Sequence, residues 1–591
     1  MHKMAVNHPA KYSPYHRTIA ASLLAAIGVP LVWSLWAAAA AGVGSAGWLA
    51  LAADPQTLRA LAMSLWTGLA STLLAVAGAA WLLSSSFAQP VWARLVRALS
   101  PMLAVPHAAF AIGLVALIAP SGWVPRALSP WATGFDAPPP WPTTQDPWGL
   151  GLVAVLVLKE IPFLLWVAAA HLQRPDVAKR LQQELRLAHT LGYSQQAAWW
   201  RVAWPQLRPR LGAPMLAVLA YSLTVVDMAL VIGPTSPPTL AVLAWQWLQD
   251  ADIATNAQGA AAAWLLGAVL ALCAALAWWT TQAPMWRTRW TRGTPHSAAP
   301  CTSASNARSR ATARSYPLGV LLGPLGVPRL KSLGLGLWLL GGLYAAVLAA
   351  LLVGSVSGHW PFPMLWPQSL SGAAWQSVLA SSPTLWTTVW LGASSSLCAL
   401  LWAVAWLECA PVAWHARAQP LLYLPLALPG VLWVVGLHRL SLAWGLDTLG
   451  LGLWLAHTLA CLPYVLLALN GPYAGFDVRL RQVAASQGHG HWKFLLRVKW
   501  PLLRAALAAS FAIGFAVSVA QYLPTLYVGA GRFATVTTEA VNLAAGGQRA
   551  LTAAFAGLQW LLPVLVFALA ALLGRPRRFP TPAAGGHNGA L

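Results

Sequence analysis

Apolar stretches of about 20 residues, separated by short polar segments, dominate this sequence. A helix that crosses the hydrocarbon core of a membrane needs about 20 mostly apolar residues. Twelve stretches meet this requirement, in two sets of six. The first set covers residues 18–41, 60–84, 101–119, 149–171, 211–233 and 259–280, and the second covers 333–356, 384–408, 421–440, 449–470, 506–529 and 552–574. The sequence therefore predicts an all-α polytopic membrane protein of about 12 transmembrane helices.

The charged residues are too few for soluble domains. They make up 8% of the 591 residues, whereas soluble proteins carry about 25%. The net charge of +23 would suit a nucleic-acid partner, but 36 tryptophans and the long apolar stretches are not typical of a basic nucleic-acid module. We therefore expect no nucleic acid as a partner.

The positions of the basic residues predict the orientation of the chain. If the N-terminus lies in the cytoplasm, 30 of the 36 Lys and Arg residues fall in cytoplasmic segments and five fall outside. Cytoplasmic loops are enriched in Lys and Arg. We expect both termini to be cytoplasmic and residues 18–41 to be a retained first span, because this stretch is too long for a signal-peptide core.

No spacing of cysteine or histidine predicts a metal site. The five cysteines are scattered without a Cys-x-x-Cys pair, which is typical of small buried apolar residues. His489 and His491 have no carboxylate or cysteine nearby in the sequence, so we expect them to be surface or interface groups.

The chain contains an internal repeat. The segment 192–205 matches the segment 488–501 in its glycine, Arg-Val, tryptophan and proline, at a constant offset of 296 residues. Shorter matches support duplication, including Pro106 and Gly113 with Pro429 and Gly436. The predicted domains are a first six-span repeat (1–280), a cytoplasmic linker rich in Arg, Ser and Pro (281–331), a second six-span repeat (332–580) and a disordered tail (581–591).

Both copies of the long motif lie in the predicted cytoplasmic loop between the fourth and fifth spans. Residues 176–191 are strong helix formers with apolar residues at helical spacing. Gly192 and Gly488 suit the left-handed position that ends such a helix, and Pro205 and Pro501 suit the first turn of the next one. The spacing predicts a helix, a turn and a second helix of about ten residues, which we call an elbow. Such an element suits the docking of a cytoplasmic partner.

The elbows resemble the "EAA" loop of binding-protein-dependent ABC importer permeases, which reads Glu-Ala-Ala, three residues, Gly, and an apolar close ending in Pro. The whole chain is similar to the fused type I permeases of iron(III) and thiamine importers, and the stretch 221–240 is similar to an uncharacterised fused subgroup. The resemblance implies a permease subunit in the bacterial inner membrane, served by an ABC ATPase, expected to be a dimer, and by a periplasmic substrate-binding protein. It does not specify the substrate: thiamine, iron, polyamines and oxyanions all stay open.

The elbows depart from that family pattern at one position. Arg186 and Gln482 stand where the family has the glutamate, and the alanine positions hold Leu187 with Ala188 and Val483 with Ala484. The resemblance implies that the glutamate pairs with the ATPase or braces the loop. Its replacement in both copies predicts an altered polar part of this contact.

The chain is not expected to be an enzyme. No Gly-x4-Gly-Lys-Ser/Thr motif occurs, so the chain lacks the loop that cradles ATP phosphates, and we expect no cofactor other than the ATP used by a partner. The predicted contacts with that ATPase are Leu191, Gly192, Tyr193, Gln196, Ala197, Arg201 and Pro205 in the first elbow, and Gln487, Gly488, His489, His491, Phe494, Arg497 and Pro501 in the second.

Polar residues inside the predicted spans are candidates for the translocation path. Lys159 and Glu160 lie in the fourth span, Asp227 lies in the fifth, and Gln521 is its approximate counterpart in the second half. Charged residues at membrane depth mark substrate or ion pathways by default, although a structural ion pair between helices is an equal alternative. The same charges would suit a 6+6 ion-coupled secondary transporter, but that class does not explain the twin elbows.

Overall fold

The computed structural model describes residues 14–42, 44–87, 91–172, 174–282 and 331–575, and these residues are almost entirely helical. The one β-pairing among them is an isolated bridge between Ser357 and Leu370. The predicted all-α fold is confirmed. Most of the predicted linker, residues 283–330, and all of the predicted tail, residues 581–591, lie outside the described residues.

The helices of the first half include long spans joined by short surface helices. They are α1 (Pro14–Gly42), α2 (Ser45–Ala53), α3 (Pro55–Ser86), α4 (Val91–Leu103), α5 (His107–Ile118), α6 (Trp123–Leu128), α7 (Leu150–Leu172), α8 (Pro175–Thr190), α9 (Gln195–Ala198), the π-helix Trp199–Ala203, α10 (Trp204–Thr224), α11 (Asp227–Ile232), α12 (Leu240–Leu248) and α13 (Ile253–Gln282).

The second half follows the same order. Its helices are α14 (Lys331–Ser355), α15 (Ala373–Ala380), α16 (Ser382–Cys409), α17 (Val412–Leu422), α18 (Leu424–Ala427), α19 (Gly430–Ala443), α20 (Leu451–Ala474), α21 (Arg479–Ser486), α22 (His491–Phe494), the π-helix Leu495–Lys499, α23 (Trp500–Val519), α24 (Leu523–Val528), α25 (Val536–Ala544) and α26 (Arg549–Leu573).

Ten helical segments among the described residues are long and apolar enough to cross a membrane, and a bent pair, Ala413–Leu426 with Gly430–Ala443, would make an eleventh span. The remaining predicted span, 211–233, corresponds to α10 and α11, which are separated by the non-helical residues 225–226. Three prolines and two arginines lie in α10, which makes it less apolar than the other spans. Its counterpart in the second half, α23 with α24, is broken at the equivalent place.

The third span of the first half begins later than the sequence predicted. Residues 101–103 belong to α4, a separate helix whose Leu95 and Leu99 are buried while Arg94 and Arg97 are exposed. Pro106 then acts as the N-cap of α5, as Pro429 does for α19. A proline disfavours helix in the residue before it, so the apolar stretch 101–119 divides at this point.

The first helix of each half packs against a helix of the other half. Helix α1 packs along α19 of the second half, and α14 packs along α5 of the first half. Trp402 donates a hydrogen bond to the carbonyl of Leu23 at 3.0 Å, and the Tyr344 hydroxyl donates to the carbonyl of Leu158 at 3.1 Å. The exchange joins the two halves through buried side chains of both first helices.

The paired glycines Gly113 and Gly436 make this exchange possible. A Cβ atom on Gly113 would lie 2.6 Å from Cγ1 of Val347 and 2.9 Å from its carbonyl oxygen, and a Cβ atom on Gly436 would collide with the carbonyl group of Ser34. Val347 lies in α14 and Ser34 in α1. The two glycines that supported duplication therefore mark the close approach of the exchanged helices.

Candidate functional site: two elbows and a polar cluster between the halves

The first elbow ends its first helix in a left-handed turn. Gly192 has a φ of +84°, and its N–H donates to the carbonyl of His189 at 3.0 Å while the N–H of Tyr193 donates to the carbonyl of Ala188 at 3.1 Å. These two bonds form the Schellman motif, which satisfies the last free carbonyls of a helix. The predicted turn is confirmed.

The second elbow repeats this geometry. Gly488 has a φ of +74°, its N–H donates to Ala485 at 3.0 Å, and the N–H of His489 donates to Ala484 at 2.9 Å. Local backbone preference fixes both turns, because a glycine adopts positive φ at little cost.

The second helix of each elbow is continuous with the following span, which differs from the predicted separate helix of about ten residues. Helix α9 passes through the π-helix Trp199–Ala203 into α10, and α22 passes through the π-helix Leu495–Lys499 into α23. Pro205 and Pro501 lie in the first turn of α10 and α23, as predicted. A movement of an elbow would therefore be transmitted to the fifth span by a helix, without a loop between them.

Small and aromatic residues hold each elbow together from inside. Ala188 of α8 and Ala484 of α21 are both buried. Leu181 and Trp199 belong to one core cluster in the first elbow, and Ala484 packs with Phe494 in the second. Phe494 is thus part of the second elbow's core, and its side chain does not contribute to the exposed contact surface that the sequence predicted for it. The second alanine of the family pattern is retained and buried in both elbows.

The elbow helix of the first half is also tied to α10 by a polar contact. The Glu184 carboxylate accepts from Gln206 Nε2 at 2.6 Å and from Arg180 Nε at 2.8 Å. These bonds from Gln206 and Arg180 hold the pKa of Glu184 below its ordinary value. Glu184 therefore provides a carboxylate brace within this elbow, two residues before Arg186, which is exposed.

Both elbows present apolar side chains to solvent. The exposed fractions are 62% for Leu187, 70% for Leu191, 52% for Val483 and 70% for Trp492. Of the other predicted contact residues, Gly192, Arg201, Gln487, Gly488, His491, Arg497 and Pro501 are exposed, and Tyr193, Ala197, Pro205 and His489 are half-buried. Gln196 lies in α9, and its side chain is outside the described part of the structure. Gln482 is exposed, like Arg186.

A cluster of polar side chains lies between the two halves at membrane depth, and we call it the polar cluster. Glu160 of α7 is buried with its carboxylate 3.7 Å from Nε2 of His107. The His107 ring lies 4.8 Å from the ring of Tyr221, centroid to centroid, and the Tyr221 side chain lies close enough to the carboxylate of Asp227 to interact with it. The structure thus brings together two predicted path residues, Glu160 and Asp227, which are 67 residues apart in the sequence.

The second half completes the polar cluster with two tyrosines. Tyr464 of α20 lies close enough to Glu160 and Tyr221 to interact electrostatically with both, and Tyr522 lies near Asp227. Gln521 is turned back onto its own helix, where Nε2 donates to the carbonyl of Val517 at 3.1 Å. The second-half residue that lies near Asp227 is therefore Tyr522. The sequence prediction names its neighbour, Gln521.

Sequence reasoning missed His107, Tyr221, Tyr464 and Tyr522. The available signals were weak: His107 follows Pro106 at the start of a span, and Tyr221 precedes Asp227 by six residues. Only packing of α5, α7, α10 and α20 shows that these residues meet.

Lys159 faces away from the polar cluster. Its ammonium group donates to the carbonyl of Val105 at 2.6 Å and of Met102 at 3.4 Å, and it lies 5.7 Å from the ring centroids of Phe110 and Tyr344. Because adjacent helical residues point in different directions, Lys159 and Glu160 have different partners. Lys159 binds the carbonyl groups at the end of α4 and just after it.

Comparison with known proteins places the chain in a family. No family model matches it. Over 566 residues, which are 94% of this chain and 95% of its relative, it is 34% identical to the inner membrane ABC transporter permease protein YnjC of Escherichia coli strain K12. The chain belongs to the inner-membrane ABC transporter permeases. It is also 24% identical over 158 residues (26% of this chain, 60% of the relative) to the spermidine/putrescine transport system permease protein PotC of Haemophilus influenzae, and 26% identical over 111 residues (18% and 41%) to PotC of Escherichia coli strain K12.

As a permease of this family, the chain is the membrane subunit of an ABC importer and a multi-pass protein of the inner membrane. Permeases of this kind work with an ATPase and a binding protein, so the coarse prediction of both partners is confirmed. The family also favours an ABC importer over the ion-coupled transporter that the intramembrane charges left open.

Proposed function

We propose that this permease forms the path for a small solute delivered by a periplasmic binding protein, and that it couples to a separate ATPase dimer through its two elbows. The observation that carries the proposal is the repeated elbow: two left-handed glycine turns, each followed by a π-helix that runs directly into a fifth span. Two equivalent elbows in one chain suit a partner with two equivalent subunits.

The exposed side chains of the elbows support a docking role. Leu187, Leu191, Val483 and Trp492 present apolar surface to solvent, and exposed apolar patches mark interaction sites. The chain carries no phosphate-binding loop in its sequence, so ATP would be bound and hydrolysed by the partner, and the permease would need no cofactor of its own.

The distribution of basic residues supports a cytoplasmic location for both elbows and for both termini. The loops before α7 and after α14 would then face the periplasm, since α7 spans about 34 Å between its two ends. Trp131, Trp148 and Trp366 are exposed on these loops. They provide aromatic surface of the kind that protein partners bind.

Arg126 donates hydrogen bonds to carbonyl groups of both loops. It is buried, with Nε donating to the carbonyl of Ser121 at 2.9 Å and Nη1 donating to those of Pro361 and Met364, each at 2.7 Å. Its guanidinium group stacks at 4.6 Å over the Trp360 ring. The two loops therefore pack on each other and expose tryptophans at the same time.

Replacing Arg126 with methionine is expected to lower the thermal midpoint of the purified permease by several degrees. The variant leaves carbonyl groups of both halves without their donor, and each unsatisfied buried group costs about 1–3 kcal/mol. Thermal unfolding followed by tryptophan fluorescence measures the change. Arg59→Met, at an exposed position, is the control; an equal midpoint for both variants would contradict the role of Arg126.

The polar cluster and the broken fifth spans support a path between the halves. Backbone that is not helical at membrane depth occurs where it is buried in protein or lines a cavity, and transporters place substrate sites at such breaks. Residues 225–226 form one break beside Asp227, and residues 520–522 form the other beside Tyr522.

The path is tested by Asp227→Asn. We expect ATP-driven uptake by proteoliposomes that contain the full transporter to fall at least tenfold, while the thermal midpoint changes little because the amide keeps the size of the side chain and can still accept a hydrogen bond. Asp250→Asn, a change at an exposed residue between α12 and α13, is the control and should leave uptake unchanged. Full uptake by Asp227→Asn at unchanged stability would exclude Asp227 from the path.

A further inference from the structure

The two carboxylates of the polar cluster belong to one half of a duplicated fold. At the offset of 296 that relates the elbows, Tyr221 and Asp227 correspond to Val517 and Leu523. The fourth spans begin 301 residues apart and share Pro162 and Pro463 at that offset, which sets Cys461 opposite Glu160. The Pro106–Pro429 pairing likewise sets Gly430 opposite His107. The elbow glycines, by contrast, are present in both halves. The two halves thus share the coupling element and differ at the polar cluster.

This difference between the halves indicates that the fold does not depend on the two carboxylates. The second half forms the same fourth and broken fifth spans with cysteine, valine and leucine at these positions. A carboxylate buried at membrane depth is costly and rare. Since the architecture forms without these carboxylates, packing alone does not explain why the first half carries two.

Within the described residues, the polar cluster holds two carboxylates but has only one lysine and one histidine beside it. Glu160 is 95% buried and accepts no hydrogen bond from the described part of the chain; His107 Nε2 lies 3.7 Å from its carboxylate. Lys159 interacts electrostatically with Glu160, but its ammonium group donates its hydrogen bonds to backbone carbonyls. The histidine that interacts with Asp227 is the same His107, so the two carboxylates share it.

Aromatic rings line the same region. His107 and Tyr221 pack ring against ring, and Tyr464 and Tyr522 approach from the second half. Tyrosine rings attract organic cations through their faces, and desolvation strengthens this attraction. No group of three or more His, Cys, Asp or Glu side chains within the described residues is arranged to hold a metal ion, which favours an organic cation over a metal.

We propose that Glu160, Asp227 and Tyr221, with Tyr464 and Tyr522 from the second half, form a binding site for an organic cation on the path of this permease. The carboxylates neutralise the positive charge, and the aromatic rings contact the carbon atoms beside it. This site would define the class of substrate that the proposed path carries. The inference therefore rests on the proposed function.

The test is equilibrium binding to the purified full-length permease in nanodiscs. The labelled probes are spermidine and thiamine, as aliphatic and aromatic organic cations, with maltose and sulfate as neutral and anionic probes at equal ionic strength. We expect at least one cation to bind, and Glu160→Gln and Asp227→Asn each to weaken that binding at least tenfold. Asp227→Glu, which keeps the charge, should lose less than Asp227→Asn, and Asp136→Asn should bind like the unmodified permease.

The outcomes distinguish the substrate class from the path. Binding of maltose or sulfate that is lost in Glu160→Gln and Asp227→Asn would overturn the cation site while leaving the path in place. Cation binding that is unchanged in both variants would overturn the site at these residues. Binding of neither cation would also count against the proposal, and the uptake of Asp227→Asn would still decide the path separately.

Discussion

Replacing both elbow glycines with valine, in the double variant Gly192→Val and Gly488→Val, is expected to reduce ATP-driven uptake at least 100-fold. Both glycines have left-handed φ angles, +84° and +74°, which cost other residues about 1–2 kcal/mol each and are severe outliers for β-branched ones. Nothing lies within 4 Å of the position of either Cβ atom. The effect therefore comes from the backbone turn, which sets the direction of α8 and α21.

Co-purification of the ATPase with the full-length permease measures this loss directly. The matched control is Gly212→Val, at an exposed helical glycine that also has open space around its Cβ position. A second pair, Gly192→Asn and Gly488→Asn, should retain much of the association, because asparagine tolerates the left-handed region. Normal association in the double valine variant would contradict the docking role of the elbows.

Among substitutions of a single glycine by alanine in this permease, we expect Gly436→Ala to lower the free energy of unfolding the most. The new Cβ atom would collide with the carbonyl group of Ser34 in α1, and backbone cannot move aside as a side chain can. Overpacking of this kind costs about 1–3 kcal/mol and occasionally more. We expect the yield of folded protein to fall severalfold and the thermal midpoint to drop.

Gly557→Ala is the control for this change. Gly557 is also a buried helical glycine, but nothing lies within 4 Å of its Cβ position, so alanine should leave stability unchanged or raise it slightly. Gly113→Ala should show a smaller loss than Gly436→Ala, because part of its contact is with the Val347 side chain. Equal midpoints for Gly436→Ala and Gly557→Ala would show that α1 and α19 do not approach this closely.

The elbows show how much of the site could be predicted from sequence. A Schellman turn depends on residues within six positions of one another, so the sequence around Gly192 and Gly488 contains what is needed to predict it. The π-helices and the burial of Phe494 could not be predicted in this way. Both depend on the packing of α9 and α22 against neighbouring helices. The sequence alone does not distinguish a buried aromatic residue from an exposed one.

The path residues show the limit of the same reasoning. Glu160 and Asp227 were found because charge is rare in apolar stretches, yet Lys159 satisfied the same criterion and faces carbonyl groups. The direction of each side chain around its helix, and the identity of the neighbouring helix, decide which charges meet. His107 and Tyr221 carried too little sequence signal to be included.

The sequence by itself determined the all-helical membrane fold, the duplication and the two elbow turns, because apolar length, periodicity and glycine conformation are local properties. The tertiary structure decided which helices pair. The exchange of α1 and α14 between the halves, the close contacts at Gly113 and Gly436, and the meeting of His107 with Glu160 and with Tyr221 all join residues far apart in the chain. Such contacts follow from shape complementarity between whole helices, which no local pattern specifies.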